Sequence, residues 1–471
     1  MTEMKTTSRR DFLKRSTVLT AGAALAGGLS LDIARSAHAA GSGQIKVALI
    51  GCGGRGKGAI GNCLDADEAI KVIAVADAFE KIARDCAKGL RSRYADRVDI
   101  PDDRIFAGLD AFQKAIDCGA DMIVTATPPG FRPFVYAAAV KAGKHVFMEK
   151  PCCVDAPGYK LLMETNKLAD QKGLKVGVGF QRHHSPGYIE CVKRIQDGAI
   201  GKLMFLQAYW NGAGIWVRSR DKLAEMLGRK PTEMEFQVNN WYHFCWLSGD
   251  NICEQHIHNL DVCNWVKGAH PVEANGMGGC SVRYSGTNKG MGQIFDHHFV
   301  EFTYVDGTKL YSQCRHIPGT FTYVGEAAFG TDGWSNCNGK IEKQFPVPVK
   351  AEGKAEAKAE KKSEKRSQKK SDGKGKKAAG VDSMVQEHMD LIAAIRSGAN
   401  YNEGYYGASS SMTAVLGRMA TYSGKIVKWD DAVAQGTSEF PTRLAWDAPA
   451  PVNPDSDGNY PIPVPGVFKP Y

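Results

Sequence analysis

The sequence predicts a two-domain α/β protein, with an N-terminal doubly wound parallel sheet and a C-terminal α+β domain whose open sheet is largely antiparallel. Three observations predict this class. A glycine-rich turn near residue 51 joins an apolar run to a helical stretch, apolar and helical segments then alternate to about residue 180, and longer polar–apolar alternations follow. At 471 residues the chain is long enough for two domains.

The first 39 residues have the pattern of a twin-arginine export signal. Residues 8–14 (SRRDFLK) precede the weakly apolar run STVLTAGAALAGGLSL, and residues 37–39 (AHA) match a cleavage site. An uncleaved membrane helix is disfavoured because the run is shorter than the roughly 20 residues that span a bilayer. We expect export of the folded protein by the twin-arginine machinery to the periplasm, without a stable membrane anchor.

The net charge of +9 is concentrated in two segments. Residues 350–377 have a surplus of seven basic residues and residues 1–40 a surplus of three, so the remainder carries a net charge of −1. Residues 346–380 lack apolar periodicity, which predicts a disordered, solvated Lys-rich insertion. A nucleic-acid or membrane-surface role for this insertion is disfavoured, and we expect no nucleic-acid partner.

The thirteen cysteines do not indicate a disulfide scaffold. Their number is odd, their spacing is irregular, and several lie in apolar, strand-like runs. Because twin-arginine cargo folds in the reducing cytoplasm, we expect buried free thiols.

Residues 40–180 carry the pattern of a dinucleotide-binding Rossmann fold. An apolar run ends in Gly51-x-Gly53-x-x-Gly56, and Asp77 ends a second apolar run about 20 residues later. The glycines let a pyrophosphate approach the backbone and the helix N-terminus, which a Cβ would prevent. The Asp77 carboxylate favours NAD because it repels a 2′-phosphate. A positive charge from Lys81 keeps NADP possible.

Two further strand ends carry polar residues. Thr127 and Pro128 end one apolar run, and Glu149 and Lys150 end the next, before Pro151. Ligands bind at the carboxyl ends of parallel strands, so we expect Lys150 to lie at the nicotinamide half of the cofactor. The alternative for Lys150 is an ordinary solvated surface charge.

The motifs GCGGRG, TATPP, AGKHVFMEKP and EQHIHNLD together resemble the Gfo/Idh/MocA family of NAD(P)-dependent oxidoreductases. The segment NNWYHFCWLSGDNICEQHIHNLDVCNW is most similar to the exported bacterial branch of that family. The resemblance departs at Arg132, where relatives often have His, and at Glu254, where they usually have Asp. The cofactor-binding residues that it implies are Gly51, Gly53, Gly54, Arg55, Gly56, Asp77, Thr127, Pro128, Glu149 and Lys150.

The second domain is predicted at residues 181–345 and 381–440. The runs KLMFLQAYW and HHFVEFTYVDGTKLYSQCRHI alternate as strands do, and the second run turns at Asp306-Gly307 like a hairpin. The family resemblance implies an open sheet that often forms a dimer or tetramer contact, so we expect a homo-oligomer. Residues 441–471 are rich in proline and predict an extended tail.

The octapeptide EQHIHNLD is predicted to lie on one helix. At about 100° per residue, Glu254, His258 and Asp261 share a face, whereas His256 projects to the far side. For His256 a hydrogen-bonded core histidine is favoured over a substrate contact, and the alternative for His258 is a surface histidine. A metal site is disfavoured because Glu254 and His258 alone are too few ligands.

Proton transfer is the preferred role of this segment. His258 titrates near neutral pH, so it can take a proton from a substrate hydroxyl while hydride leaves the same carbon. Lys150 would stabilise the developing alkoxide, and Glu254 would orient the imidazole or bind a neighbouring hydroxyl. The candidate substrate-binding residues are Arg182, Trp241, Tyr242, His256 and Asp261.

The predicted function is therefore an NAD(P)-dependent oxidoreductase that acts on a hydroxyl of a sugar or polyol. The periplasm is not expected to hold a free NAD pool, so we expect a tightly bound, non-exchanging cofactor. Two alternatives stay open: a redox-assisted glycosidase or lyase, and a non-catalytic cofactor-binding protein.

Overall fold

The computed structural model describes residues 43–343 and 381–471. The predicted export signal and the Lys-rich insertion lie outside these residues. Within the described part, no helix combines the length and the apolar character needed to cross a membrane. All thirteen cysteines fall within it as free thiols, and most of them are buried, as expected from their scattered spacing.

The first sheet confirms the doubly wound prediction. Its six parallel strands run in the order β3-β2-β1-β4-β5-β6, so the strand order reverses between β1 and β4 and opens a crevice at their carboxyl ends. β1 is almost wholly buried because helices cover both faces of the sheet. The strands are β1 (Ile45–Ile50), β2 (Ile70–Asp77), β3 (Ile105–Ala107), β4 (Met122–Thr125), β5 (His145–Met148) and β6 (Val176–Val178).

Five helices follow the strands of this sheet, and a sixth joins them from the far end of the chain. That sixth helix, α12, begins after the Lys-rich insertion and packs on α1 and β6, where Leu391 and Ile392 enter the same apolar cluster as Phe147. The sequence assigned residues 381–440 to the second domain as one piece, whereas α12 lies on the first sheet. The six helices are α1 (Gly54–Ala66), α2 (Glu80–Arg93), α3 (Ala111–Asp117), α4 (Arg132–Lys141), α5 (Ala156–Gln171) and α12 (Ser383–Ser397).

The second sheet is mixed and mostly antiparallel, as predicted. Its eight strands run in the order β13-β12-β11-β7-β10-β9-β8-β14, and the β7–β10 pair is parallel. The predicted hairpin joins β9 to β10, and Gly307 in its turn has φ +82°. The strands are β7 (Leu203–Gly212), β8 (Glu273–Gly279), β9 (His297–Thr303), β10 (Lys309–His316), β11 (Tyr323–Gly330), β12 (Trp334–Ser335), β13 (Ile341–Glu342) and β14 (Val427–Lys428).

Helices cover one face of the second sheet and leave the other open. Along β10 the residues alternate between buried and half-buried, with Leu310, Ser312 and Cys314 facing the helices. On the open face Met277 is 73% exposed and Phe299 is 38% exposed. The remaining helices are α6 (Pro186–Gln196), α7 (Arg220–Leu227), α8 (Glu233–Asn239), α9 (Cys245–Ser248), α10 (Asn251–Glu254), α11 (Ile257–Lys267), α13 (Gly404–Ser423) and α14 (Trp429–Gln435).

The C-terminal segment has no helix or strand after α14, as an extended tail should. Its aromatic side chains nevertheless pack against both domains. The ring of Phe440 lies 5.2 Å from that of Phe131 and 5.7 Å from that of Trp246, and Trp446 lies 5.4 Å from Phe79. The tail therefore backs the wall of the crevice described next.

Candidate active site

The glycine turn between β1 and α1 forms the floor of the crevice. Gly51 has φ +92°, and its N–H donates to the carbonyl of Ala76 at 2.8 Å. A Cβ on Gly56 would lie 1.8 Å from the carbonyl oxygen of Gly51, so the helix can approach the turn only without a side chain there. A Cβ on Gly53 or Gly54 would meet no atom within 4 Å. Those two glycines therefore leave space for a ligand rather than for the protein.

A cavity of about 300 Å³ opens above this turn. Gly53, Gly54, Asp77, Thr127 and Pro128 all line it, as expected for cofactor-binding residues at the carboxyl ends of neighbouring strands. The open glycine positions, the helix N-terminus and the carboxylate together fit a dinucleotide.

The carboxylate of Asp77 is fixed at the rim of this cavity. Its Oδ2 accepts from the N–H of Cys52 at 2.8 Å, and its Oδ1 accepts from the N–H of Phe79 at 3.0 Å. Burial raises the pKa of Asp77, and these hydrogen bonds oppose that shift. Each oxygen keeps a lone pair with which it can accept a ribose hydroxyl.

Arg55 and Glu149, which were predicted to bind the cofactor, bind each other. Arg55 Nε donates to Glu149 Oε1 at 2.5 Å, and its Nη2 lies 3.6 Å from Glu387 Oε1 on α12. Neither residue lines the cavity. In this structure the pair ties the glycine turn to the end of β5 and to α12.

Lys150 and Glu254 meet between the two domains. Lys150 follows β5 and precedes Pro151 through a cis peptide bond. Its ammonium donates to the backbone carbonyl of Glu254 and lies 3.4 Å from Oε1 of the same residue. Both side chains are 13% exposed, so water screens this pair poorly. The structure thus brings together two of the three predicted catalytic residues.

The prediction of one continuous helix across the octapeptide is wrong. α10 ends at Glu254 and α11 begins at Ile257, because Gln255 (φ −121°, ψ −48°) departs from helical geometry. The N–H of His258 donates to Gln255 and not to Glu254. The carbonyl of Glu254 therefore does not accept the helical hydrogen bond from His258, and it accepts one from the Lys150 ammonium instead.

His258, the third predicted catalytic residue, lies among aromatic rings near this pair. Its ring is 6.0 Å from Phe180, edge to face, and 6.0 Å from Trp210, stacked. Burial and the positive charges of Lys150 and Arg182 hold the pKa of His258 well below 6.5. The imidazole is therefore neutral at neutral pH and available to accept a proton.

Arg182 lies behind His258 rather than in the crevice. Its Nη1 donates to the carbonyl of His258 at 3.0 Å and to the carboxylate of Glu326. Glu326, which is buried on β11, also accepts from Asn259 Nδ2 at 2.6 Å. Arg182 was predicted to bind substrate, whereas in this structure it fixes the backbone that carries the imidazole.

Two other residues that were predicted to bind substrate, His256 and Asp261, form hydrogen bonds with buried side chains of the protein. His256 is fully buried, and its Nε2 lies 2.7 Å from Ser312 Oγ, which matches the favoured interpretation as a core histidine. Asp261 is also buried, 2.8 Å from His183 Nε2, and it accepts from Ser410 Oγ at 2.7 Å. Neither residue lines the cavity.

Trp241 and Tyr242 connect the cavity with the Lys150–Glu254 pair. Trp241 lines the cavity, and its ring lies 5.6 Å from that of Tyr242. Tyr242 is buried, and burial together with the nearby charge of Glu254 raises its pKa well above 10. The phenol therefore stays protonated and can donate a hydrogen bond.

Three of the residues described above each have one buried polar atom with no hydrogen-bond partner among the described residues: Glu254 Oε2, His258 Nδ1 and Tyr242 OH. Each such atom costs about 1–3 kcal/mol when it stays unsatisfied. A ligand hydroxyl both donates and accepts, so it is a suitable partner for each kind of atom.

No group of three or more His, Cys, Asp or Glu side chains with metal-binding geometry occurs among residues 43–343 and 381–471.

The first domain matches a known protein family in sequence. Residues 45–180 match the model of the oxidoreductase family with an NAD-binding Rossmann fold, Gfo/Idh/MocA. Residues 45–180 are therefore similar in sequence to the NAD-binding domain of this family. This is the part of the chain that carries the glycine turn, Asp77 and Lys150.

Curated relatives of this chain include two inositol dehydrogenases. The inositol 2-dehydrogenase of Burkholderia multivorans is 27% identical over 272 residues, which are 58% of this chain and 68% of that protein. The scyllo-inositol 2-dehydrogenase (NAD(+)) of Bacillus subtilis is 24% identical over 240 residues, 50% of this chain and 57% of that protein. Over the first relatives found, the matched segment spans between 29% and 57% of their length.

Solved structures extend the likeness to both domains. The aldose-aldose oxidoreductase of Caulobacter crescentus superposes with a TM-score of 0.58 at 15% identity, covering 82% of this chain and 99% of that one. A scyllo-inositol dehydrogenase of Lactobacillus casei, solved with NAD(H) and scyllo-inositol, gives a TM-score of 0.56 at 17% identity and covers the same shares. At these identities the comparison shows the two-domain fold.

Sequence reasoning missed three residues of this site. Trp210 faces His258 from β7, and the strand alternation that places Leu206 and Ala208 inward would have found it. Glu326 and Arg218 come from a strand and a loop distant in sequence, and neither belongs to a motif. Arg218 lines the cavity opposite the first domain.

Substitution by alanine should have different effects at Gly56, which packs against backbone, and at Gly53, which faces open space. Gly56→Ala should lower the free energy of unfolding by more than about 2 kcal/mol, because its Cβ would overlap the Gly51 carbonyl. Gly53→Ala should leave stability within about 0.5 kcal/mol of the parent but weaken NAD binding at least about tenfold. Urea unfolding and nucleotide titration measure the two effects. Equal stability losses in both variants would contradict the assignment.

Proposed function

We propose that this protein is an NAD-dependent oxidoreductase that acts on a hydroxyl of a polyol or sugar, with its cofactor tightly bound. The observation that carries the proposal is the convergence of Lys150, Glu254 and His258 beside unpartnered buried polar atoms. The inositol dehydrogenases among the relatives and the aldose-aldose oxidoreductase among the structural neighbours support the same substrate class.

The dinucleotide would be held by residues that line the cavity: Gly53, Gly54, Asp77, Thr127 and Pro128. The chemistry that a bound nicotinamide supplies is acceptance of a hydride from the carbon that bears the hydroxyl. The protein must then bind the substrate, remove the hydroxyl proton and stabilise the charge that develops on oxygen.

His258 is the proton acceptor in this proposal. Its neutral imidazole has a buried Nδ1 without a partner among residues 43–343 and 381–471, and this nitrogen can take the proton as the C–O bond becomes a carbonyl. Arg182 holds the backbone of His258 and adds positive charge behind the ring, which disfavours the protonated form and promotes later release of the proton.

Lys150 stabilises the developing alkoxide. Two of its three N–H groups are directed to the carbonyl and the carboxylate of Glu254, which leaves a third for the substrate oxygen. Burial raises the pKa of Glu254, and the charges of Lys150 and Arg132 oppose the shift. Glu254 Oε2 remains available to orient a neighbouring hydroxyl.

The proposal predicts a selective loss in Lys150→Ala. The rate of hydride transfer should fall about 10²- to 10³-fold, because one donor to the alkoxide is lost, while the retained nucleotide stays the same. The exposed Lys167→Ala on α5 is the matched control and should keep the parental rate. The absorbance band of reduced nicotinamide, after polyol addition to purified protein, measures the rate. If Lys150→Ala keeps the parental rate, Lys150 is not a catalytic residue, and if the parent itself gives no band, the protein is a non-catalytic binder.

The pH dependence tests His258. Because its pKa is lowered from 6.5, the base form persists as pH falls, and kcat/KM for oxidation should stay level from about pH 8 down to 6.5. The decline should come only at lower pH, where the imidazole takes up a proton. An acid limb at or above 6.5 in the parent, or an unchanged profile in His258→Gln, would argue against this role.

We also propose export by the twin-arginine route, on the support of the motif at residues 8–14 and the run that follows it. Tight binding of NAD by the folded protein then matters, because the periplasm is not expected to hold a pool of free NAD. The double change Arg9→Lys and Arg10→Lys should keep the protein in the cytoplasm on cell fractionation, whereas Arg35→Lys should leave export unchanged. Periplasmic recovery of the double variant would refute this part.

A homo-oligomer is proposed for the open face of the second sheet. Exposed Met277, Phe299 and Tyr323 give this face an apolar surface of the kind that subunits cover. Light scattering of the purified protein should give the mass of a dimer or tetramer, and a monomer mass would refute it.

A further inference from the structure

Arg218 reaches the cofactor cavity from the second domain. It lies between β7 and α7, where its backbone N–H donates to Asn240 Oδ1 at 2.9 Å and its Nη1 donates to the carbonyl of Asn239 at 2.9 Å. The guanidinium also stacks on Trp216, 4.4 Å from the ring centroid. These contacts hold the side chain in one direction.

Arg218 shares the cavity with Asp77. Both residues line the same cavity, and the carboxylate of Asp77 counteracts the lowering of the Arg218 pKa by burial. Hydrogen bonds to described residues are made through Nη1, which leaves the other N–H groups of the guanidinium for a ligand. A positive charge and the carboxylate that would contact the ribose thus line one cavity.

Lys81, the basic residue that the sequence suggested as a partner for a 2′-phosphate, forms an ion pair outside the cavity. Lys81 Nζ donates to Asp85 Oδ2 at 3.0 Å on the exposed side of α2, and Lys81 does not line the cavity. The cations that do line it are Arg218 and Lys57, and Lys57 lies on α1 beside the glycine turn.

We propose that Arg218 is a specificity-determining residue that allows this protein to bind NADP as well as NAD. An isolated carboxylate at Asp77 would repel a 2′-phosphate, whereas the guanidinium offsets that charge and offers paired donors to phosphate oxygens. NAD would use Asp77 through its ribose hydroxyls. The inference rests on the proposed function, since it concerns the same cofactor site.

The test is a binding measurement that needs no turnover. Nucleotide-free protein is titrated with NAD⁺ and with NADP⁺, and binding is followed by quenching of tryptophan fluorescence, because Trp241 lines the cavity. The parent should bind both within about tenfold. Arg218→Gln should weaken NADP⁺ binding by about 10- to 100-fold and NAD⁺ binding by less than about threefold.

Three further variants complete the design. Lys81→Gln removes the same charge outside the cavity and should change neither affinity. Arg218→Lys keeps the charge and should retain NADP⁺ binding within about tenfold of the parent, which separates the role in recognition from a folding defect. Asp77→Asn should strengthen NADP⁺ relative to NAD⁺ binding.

The outcomes separate this inference from the proposed function. If the parent binds NAD⁺ but not NADP⁺, or if Arg218→Gln weakens both nucleotides equally, the inference fails and the oxidoreductase proposal stands. If the parent binds neither nucleotide, the proposed function itself fails.

Discussion

The site depends on one contact between the domains, in which the ammonium of Lys150 donates to the backbone carbonyl of Glu254. The lysine comes from the end of a strand in the nucleotide-binding sheet, and the carbonyl comes from a helix end that packs on the second sheet. Because the pair is largely shielded from water, its electrostatic attraction is stronger than that of a surface ion pair. The contact fixes the lysine at Glu254, four residues before His258.

The residues around this contact are polar, and not all of their hydrogen-bonding groups have partners among the described residues. The Glu254 carboxylate, the His258 imidazole and the Tyr242 phenol each keep a buried atom that has no partner in the part of the chain that the structure describes. Arg132, also buried, adds positive charge near Glu254 and donates to the carbonyl of Pro151 at 2.6 Å. A folded protein tolerates such groups where a ligand completes them, so the arrangement favours binding of a hydroxylated molecule over stability of the free protein.

Local patterns in the sequence were sufficient for the scaffold. The glycine turn, the apolar strands and the Asp306-Gly307 hairpin are set by contacts between residues close in sequence, and all three predictions are confirmed. The helix break after Glu254 was not predictable in this way, because neither glycine nor proline marks it, and the carbonyl that it frees is bound by a lysine 104 positions earlier. Arg182 and Arg218 were likewise outside the reach of motifs. Their partners, Glu326 and Asn239, become neighbours only in the folded chain.

The most direct test of the central claim is a crystal structure of the protein with a bound polyol such as an inositol. We predict one hydroxyl within hydrogen-bond distance of both Lys150 Nζ and His258 Nδ1, with Glu254 Oε2 and Tyr242 OH bound to the same molecule. A polyol seated elsewhere, or contacts to Lys150 and His258 from two different cavities, would contradict the account.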